Sequence, residues 1–247
     1  KNAGETRLTN FNADRLAGVS MGAPEFFDFK GWNDERVEGY VVKPWNYEAG
    51  KKYPIAFLVH GGPQGAFGND WHYRWNPQTY AGAGFAVIAI NFHGSTGYGQ
   101  KFTDAISGDW GGKPLEDLKK GMAAAVAKYD WLNGDKACAL GGSYGGYMMN
   151  WIAGNWNDGF DCLVSHASIF DNRFMSYSTE ELWFDEWEMQ GSHFERPENF
   201  ERHNPINHIK DWKTPTLVVH GALDYRVPVE EGIALLYQRR EAADASA

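Results

Sequence analysis

This 247-residue sequence predicts an α/β fold, with a mainly parallel, twisted sheet and helices on both faces. Three observations predict it. Short apolar runs of strand length alternate with segments of helical periodicity. One run, 85–92, is almost unbroken in apolar residues, as a strand covered on both faces requires. Glycine-rich polar turns follow the strand ends, where open parallel sheets gather their ligands.

In chain order, residues 1–30 are polar and carry the turn formers Asn10, Asn12, Gly18, Gly22 and Pro24, so they read as the tail of a preceding region. Residues 39–42 and 55–60 read as strands on either side of a loop, and a polar, aromatic, glycine-rich loop spans 61–76. A short helix over 77–83 has Pro77 in its first turn. The clearest helix runs over 114–132. Glu116 and Asp117 lie in its first turn, and Leu115, Leu118, Met122, Val126 and Tyr129 share one face. A strand at 137–140, a helix from Tyr144 to about Ala153 and a strand at 162–166 follow. A long aromatic insertion then reaches about Asn204, before a strand at 216–220 and a helix over 229–240. The expected division is a leading remnant, 1–30, and one α/β domain, 31–247.

Bulk properties exclude several classes. A net charge of -9 without a Lys/Arg-rich run argues against a nucleic-acid surface. No apolar stretch approaches the roughly 20 residues that span a bilayer. The two cysteines, Cys138 and Cys162, cannot form a disulfide framework and read as small core hydrophobes rather than a bridge. Lys1 stands where a methionine would begin a complete chain, without a signal-peptide pattern, so the sequence is expected to come from something longer.

The chemistry centres on Gly141-Gly142-Ser143-Tyr144-Gly145-Gly146, directly behind the strand at 137–140. Strand, sharp turn and new helix with serine at the apex make a nucleophile elbow, in which Gly141 and Gly145 lack the Cβ atoms that would collide. His60-Gly61-Gly62-Pro63 ends an early strand. A tetrahedral oxyanion needs two aimed N–H donors; Tyr144 would supply one and Gly62 the other, since Pro63 has no N–H. His220-Gly221-Ala222-Leu223-Asp224 ends the last strand, some 80 residues after Ser143, where a carboxylate suits the chain order Ser, Asp, His. Yet all eight histidines (His60, His72, His93, His166, His193, His203, His208 and His220) precede Asp224. His60 and His220 read as structurally hydrogen-bonded strand-end residues, His166 ends another strand, and the rest lie in loops. Without a general base a serine hydroxyl is a poor nucleophile. His203 and His208 lack metal-ligand spacing, and no cofactor or metal motif occurs.

Four ordered motifs carry a family resemblance: His60–Pro63; Asn91-Phe-His-Gly-Ser-Thr-Gly-Tyr-Gly99; Gly141–Gly146; and His220-Gly-Ala-Leu-Asp-Tyr-Arg-Val-Pro228. Together they resemble the catalytic domain of the prolyl oligopeptidase family of serine peptidases, over about Gly39 to Arg240. Tyr147–Gly154 and Ser178-Thr-Glu-Glu-Leu182 resemble most its dipeptidyl peptidase V branch, with acylaminoacyl peptidases as near relatives. The resemblance implies an α/β-hydrolase fold, Ser143 as nucleophile, Asp224 as triad acid, and Tyr144 with Gly62 as oxyanion hole. It also implies that Ile169, Phe170, Phe174 and Val227 wall the S1 pocket and that Arg226 touches the P2 carbonyl; core packing of the aromatics is the alternative. The implied activity is release of dipeptides from peptide N-termini through an acyl-enzyme, without a cofactor. Acylaminoacyl peptidase, carboxylesterase and a non-catalytic interaction module remain alternatives.

The chain departs from the family pattern at three places. His93 stands where an arginine is usual, the N-terminal β-propeller is missing, and the family's histidine would lie beyond the final helix. The 247 residues alone are therefore expected to be nearly inactive. The resemblance leans towards a periplasmic or secreted location and leaves a homodimer open.

Overall fold

The computed structural model describes residues 6–244. Seven strands form one sheet: β1 (Glu25–Lys30), β2 (Arg36–Val42), β3 (Tyr53–Val59), β4 (Ala86–Asn91), β5 (Leu132–Gly142), β6 (Cys162–His166) and β7 (Thr216–Val219). Their order is β1-β2-β4-β3-β5-β6-β7. The β1–β2 and β2–β4 pairs are antiparallel, and β4, β3, β5, β6 and β7 run parallel. The expected mainly parallel α/β sheet is therefore present. Around it lie α1 (Ala13–Leu16), α2 (Pro77–Gly82), α3 (Gln100–Asp104), α4 (Lys113–Lys128), α5 (Tyr144–Asn155), α6 (Asn172–Ser178), α7 (Leu182–Glu188), α8 (Pro197–Arg202) and α9 (Val229–Asp244).

The core divides by the two-residue period of the strands. Ile55, Phe57 and Val59 of β3 join Ile88 and Ile90 of β4 in the larger cluster, with Leu118 and Met122 of α4 and Met148 and Ile152 of α5. Leu58, Val87 and Ala89 point to the other face, where Ala81 and Tyr80 of α2 cover them with Tyr40 and Val42. Both faces of β4 are thus buried, as its unbroken apolar run required. Asn76 caps α2 by accepting the Gln78 N–H, with Pro77 in the first turn.

Several expectations need correction. Cys138 and Cys162 are not independent core thiols: they lie opposite each other in β5 and β6 and form a disulfide, with Cα atoms 4.7 Å apart. The helix expected to reach residue 132 stops at Lys128, because Tyr129 turns to extended geometry and Leu132 enters the ladder opposite Tyr53. Here sheet pairing outweighs helical periodicity. Glu25–Lys30, read within the leading segment, form β1 against β2 across a short turn at Trp32–Asp34. The aromatic insertion folds into α6, α7 and α8, with a 3-10 segment at Pro205–Asp211 after them.

Candidate active site

β5 ends at Gly142 and α5 begins at Tyr144, so Ser143 makes the whole turn between them. Its backbone sits at φ 58°, ψ -121°, a region that a residue bearing a Cβ rarely occupies. Close packing holds it there. A Cβ on Gly141 would strike the Gly145 carbonyl, and one on Gly145 would strike that of Val59. The Ser143 N–H donates to the His166 carbonyl at 3.1 Å, and the Ser143 carbonyl accepts the Tyr147 N–H at 2.9 Å. Both predicted glycine roles at the elbow are thus visible as contacts.

Facing the turn is the loop after β3. Gly62 has φ 131° and is followed by a cis bond to Pro63. His60 is buried beneath it, and that burial lowers its pKa to about 4, so the ring is neutral. Its Nδ1 lies 2.8 Å from the Gly61 carbonyl, which can only accept, so Nδ1 carries the proton. Nε2 then accepts from the Ser95 hydroxyl at 2.8 Å. The Gly61 carbonyl and the Gly62 N–H belong to one planar peptide, so fixing the first aims the second. Further along the loop, Gln64 donates to Glu188 at 2.6 Å, and Trp110 Nε1 donates to the same carboxylate at 2.7 Å. The Trp110 carbonyl accepts the Tyr144 hydroxyl at 2.6 Å. The loop after β3, α5 and α7 are therefore one connected unit.

Ser143, Gly62, Asp224, Arg226 and Val227 all line a cleft of about 880 Å³ at the carboxyl ends of the strands. Asp224 Oδ1 accepts the N–H groups of Arg226 and Val227, each at 3.0 Å, which fixes the carboxylate in its turn. A smaller recess of about 230 Å³ adjoins Ser143, walled by Trp110, Ile169, Met175, Phe184 and Val227, with Glu181 and Arg226 in its lining. Arg226 pairs with Glu180 at 2.6 Å and with Glu181 at 2.8 Å.

The structure brings most of the expected residues together, but not all. Ser143, Tyr144, Gly62, Ile169, Arg226 and Val227 converge on the recess, and Asp224 on the cleft. Phe170 and Phe174 do not line either. Phe170 is 0% exposed and packs edge-on against Trp212, while Phe174 is 37% exposed on α6. The walls supplied by Trp110, Met175 and Phe184 were missed, because they come from segments far apart in sequence. Glu181 had a signal, its place in the Ser178–Leu182 motif. Loop 61–76 contributes Asp70, His72, Arg74 and Trp75 to the cleft.

Among the described residues no histidine side chain hydrogen-bonds Ser143 or Asp224. His60 is engaged as above, His72 Nδ1 accepts the N–H groups of Arg74 and Trp75, and His220 Nε2 bonds the Val227 carbonyl. His166 lies in the cleft under the Trp75 ring, with its pKa lowered by burial and then by Arg74. Nor do the described residues contain a cluster of three or more His, Cys, Asp and Glu placed for a metal ion.

Comparisons with known proteins bear on the family. The model of the prolyl oligopeptidase family matches residues 71–244. The chain belongs to that family. A dipeptidyl-peptidase 5 of Schizosaccharomyces pombe is 44% identical over 231 residues, covering 93% of this chain and 34% of the relative. One from Aspergillus fumigatus is 42% identical over 223 residues, covering 89% of this chain and 31% of its own length. The acylaminoacyl peptidase of Pyrococcus horikoshii superposes with a TM-score of 0.89 at 26% identity, over 96% of this chain and 38% of that one. As a member of the family, the chain thus has the α/β-hydrolase fold and spans about a third of the length of the curated relatives it matches.

Proposed function

We propose that this chain is the hydrolase domain of a serine peptidase that removes dipeptides from the N-termini of peptides. One observation carries the reading: Ser143 is held in a strained turn at the mouth of a cleft shared with Gly62 and Asp224. Ser143 attacks the scissile carbonyl to give the acyl-enzyme. The N–H groups of Tyr144, first residue of α5, and Gly62 receive the oxyanion, the first helped by the positive end of the helix. Asp224 orients and charge-stabilises a catalytic imidazole, and among the described residues no histidine side chain hydrogen-bonds Ser143 or Asp224. In the full-length protein that imidazole is supplied to the open cleft, and a separate propeller domain restricts access to short peptides. The recess walled by Ile169, Met175, Phe184 and Val227 takes the P1 side chain, and Arg226 faces the P2 carbonyl. The naming of the fungal relatives supports the dipeptidyl specificity.

The Cys138–Cys162 disulfide supports an oxidising compartment, hence a periplasmic or secreted protein. No described helix is long and apolar enough to cross a membrane.

The test uses the full-length protein with a dipeptidyl amide, an N-acylated aminoacyl amide and an aryl ester. Preferential turnover of the dipeptidyl amide, abolished by Ser143→Ala, is expected. Preference for the acylated substrate would make it an acylaminoacyl peptidase, and preference for the ester a carboxylesterase. Ordinary turnover by the 247-residue chain alone would refute the missing imidazole.

A further inference from the structure

The loop after β4 holds a buried charge cluster away from the cleft. His93 is 1% exposed and sits between two carboxylates. Its Nδ1 is 2.6 Å from Asp117 Oδ2 on α4, and its Nε2 is 3.2 Å from Glu35 Oε2, ahead of β2. Asp117, itself buried, also accepts the His93 backbone N–H at 2.7 Å and, through Oδ1, the Trp32 N–H at 2.7 Å. Other charged neighbours are Lys101 of α3, 3.3 Å from Glu35 Oε1, Lys113 of α4 over the Trp32 ring, and Lys120 of α4, which donates to the Gly31 carbonyl at 2.8 Å and lies within reach of the Asp117 charge. Phe102 stacks on the imidazole at 4.2 Å, and Trp32 meets it edge-on.

Ionised carboxylates only accept, so both ring nitrogens must donate and the ring must be a cation. A neutral imidazole would turn a lone pair towards one carboxylate inside a buried site. Burial opposes the charge, but the hydrogen bonds and charges of Asp117 and Glu35 outweigh it and raise the His93 pKa above the ordinary value.

Two residues further on, the same loop reaches the oxyanion peptide. Ser95 bonds His60, whose ring also stacks on Phe92 at 4.3 Å, and the Thr96 N–H donates to the Gly65 carbonyl at 2.8 Å. His60 in turn holds the Gly61 carbonyl.

We propose that His93 is a positioning residue: clamped as a cation between Asp117 and Glu35, it fixes the loop whose Ser95, through His60, orients the Gly61–Gly62 peptide. The proposal rests on the peptidase reading above. It makes the oxyanion hole sensitive to alkaline pH in a full-length enzyme whose imidazole base must be neutral to act. Because the oxyanion contact strengthens in the transition state, the effect falls on kcat rather than KM.

The experiment compares full-length wild type, His93→Gln and His93→Arg across pH 6 to 10. Arginine is a permanent cation that can serve both carboxylates. Wild-type kcat should fall about tenfold or more above the His93 titration, less than the roughly 100- to 1000-fold cost of losing an oxyanion donor outright. His93→Gln should be reduced by about that factor at every pH with KM little changed, and His93→Arg should retain kcat without the alkaline fall. Nitrogen-15 NMR of wild-type His93 should show both ring nitrogens protonated at pH 6.5, a readout that holds even if a variant does not fold. A neutral ring there, an unaltered profile in His93→Gln, or the same alkaline fall in His93→Arg overturns the proposal. Unchanged peptidase activity in His93→Gln defeats the positioning role and leaves the functional reading standing. A doubly protonated His93 in a protein that cleaves none of the substrates defeats the functional reading and, with it, the role in turnover.

Discussion

Glu188 joins two walls of the active site, receiving Gln64 Nε2 on one carboxylate oxygen and Trp110 Nε1 on the other. Gln64 belongs to the loop that carries Gly62, and the Trp110 carbonyl holds the hydroxyl of Tyr144. A helix of the insertion thus keeps the two proposed oxyanion donors in fixed relation. In Glu188→Gln one of these donors meets an amide N–H instead of an oxygen. The full-length variant should lose about tenfold or more in kcat, less than the roughly 100-fold or greater effect of losing an oxyanion donor outright, with a smaller change in KM. Steady-state kinetics on the dipeptidyl amide check it.

The elbow glycines set a second expectation. Gly145→Ala places a methyl group against the Val59 carbonyl of the neighbouring strand. Backbone cannot give way as a flexible side chain would, so the variant should lose about 2 kcal/mol or more of stability. Urea unfolding measures the loss. A fluorophosphonate should also label Ser143 more slowly, because relief of the clash displaces the turn.

The disulfide predicts a stability difference that reductant can reveal. Cys138 and Cys162 are 24 residues apart, and closing a loop of that size contributes about 3 kcal/mol in the chain-entropy model. The double variant Cys138→Ala/Cys162→Ala should be destabilised by about that amount. Its unfolding curve should not respond to a thiol reductant, whereas that of the wild type should.

Glu231 of α9 gives a pH dependence with a definite sign. It is 0% exposed; Oε2 accepts the N–H groups of Phe170 and Asp171, and Oε1 has no hydrogen-bond partner among the described residues. Burial, reinforced by Asp171 and Asp185, raises its pKa from 4.5 to about 8 against the pull of those two N–H groups. The folded state therefore binds this proton more tightly than the unfolded chain. Its contribution is fully present below about pH 4.5 and is lost as pH rises to about 8, on the order of a few kcal/mol in all. Glu231→Gln keeps an acceptor for both N–H groups and removes the titration. Its melting temperature should fall less between pH 5 and 8 than that of the wild type.

The sheet was legible where residue chemistry alone decides strand from helix. The run at β4 read as a strand buried on both faces, and the turn at Ser143 declared itself by glycines whose missing Cβ atoms correspond to real contacts. What escaped depends on which segments meet in space. The cysteine pair follows from the register of β5 against β6, which neither strand encodes alone. Strand β1 was obscured by Asp28 and Lys30 within Glu25-Phe-Phe-Asp-Phe-Lys30, because its pairing with β2 supplies what its composition does not. Ile169 and Phe170 are neighbours in sequence, yet one faces the recess and the other the core against Trp212. The walls Trp110, Met175 and Phe184 were hidden for the same reason: three separate segments have to converge before a recess exists.

The Gly61 carbonyl is held from behind by His60, so the adjoining amide keeps its aim while no reactant is present. The work of arranging that donor is completed during folding and is not repeated in each catalytic cycle. Tetrahedral mimics such as boronates and phosphonates should therefore meet a socket already shaped for them, and flexible rearrangement should contribute little to how tightly they are held.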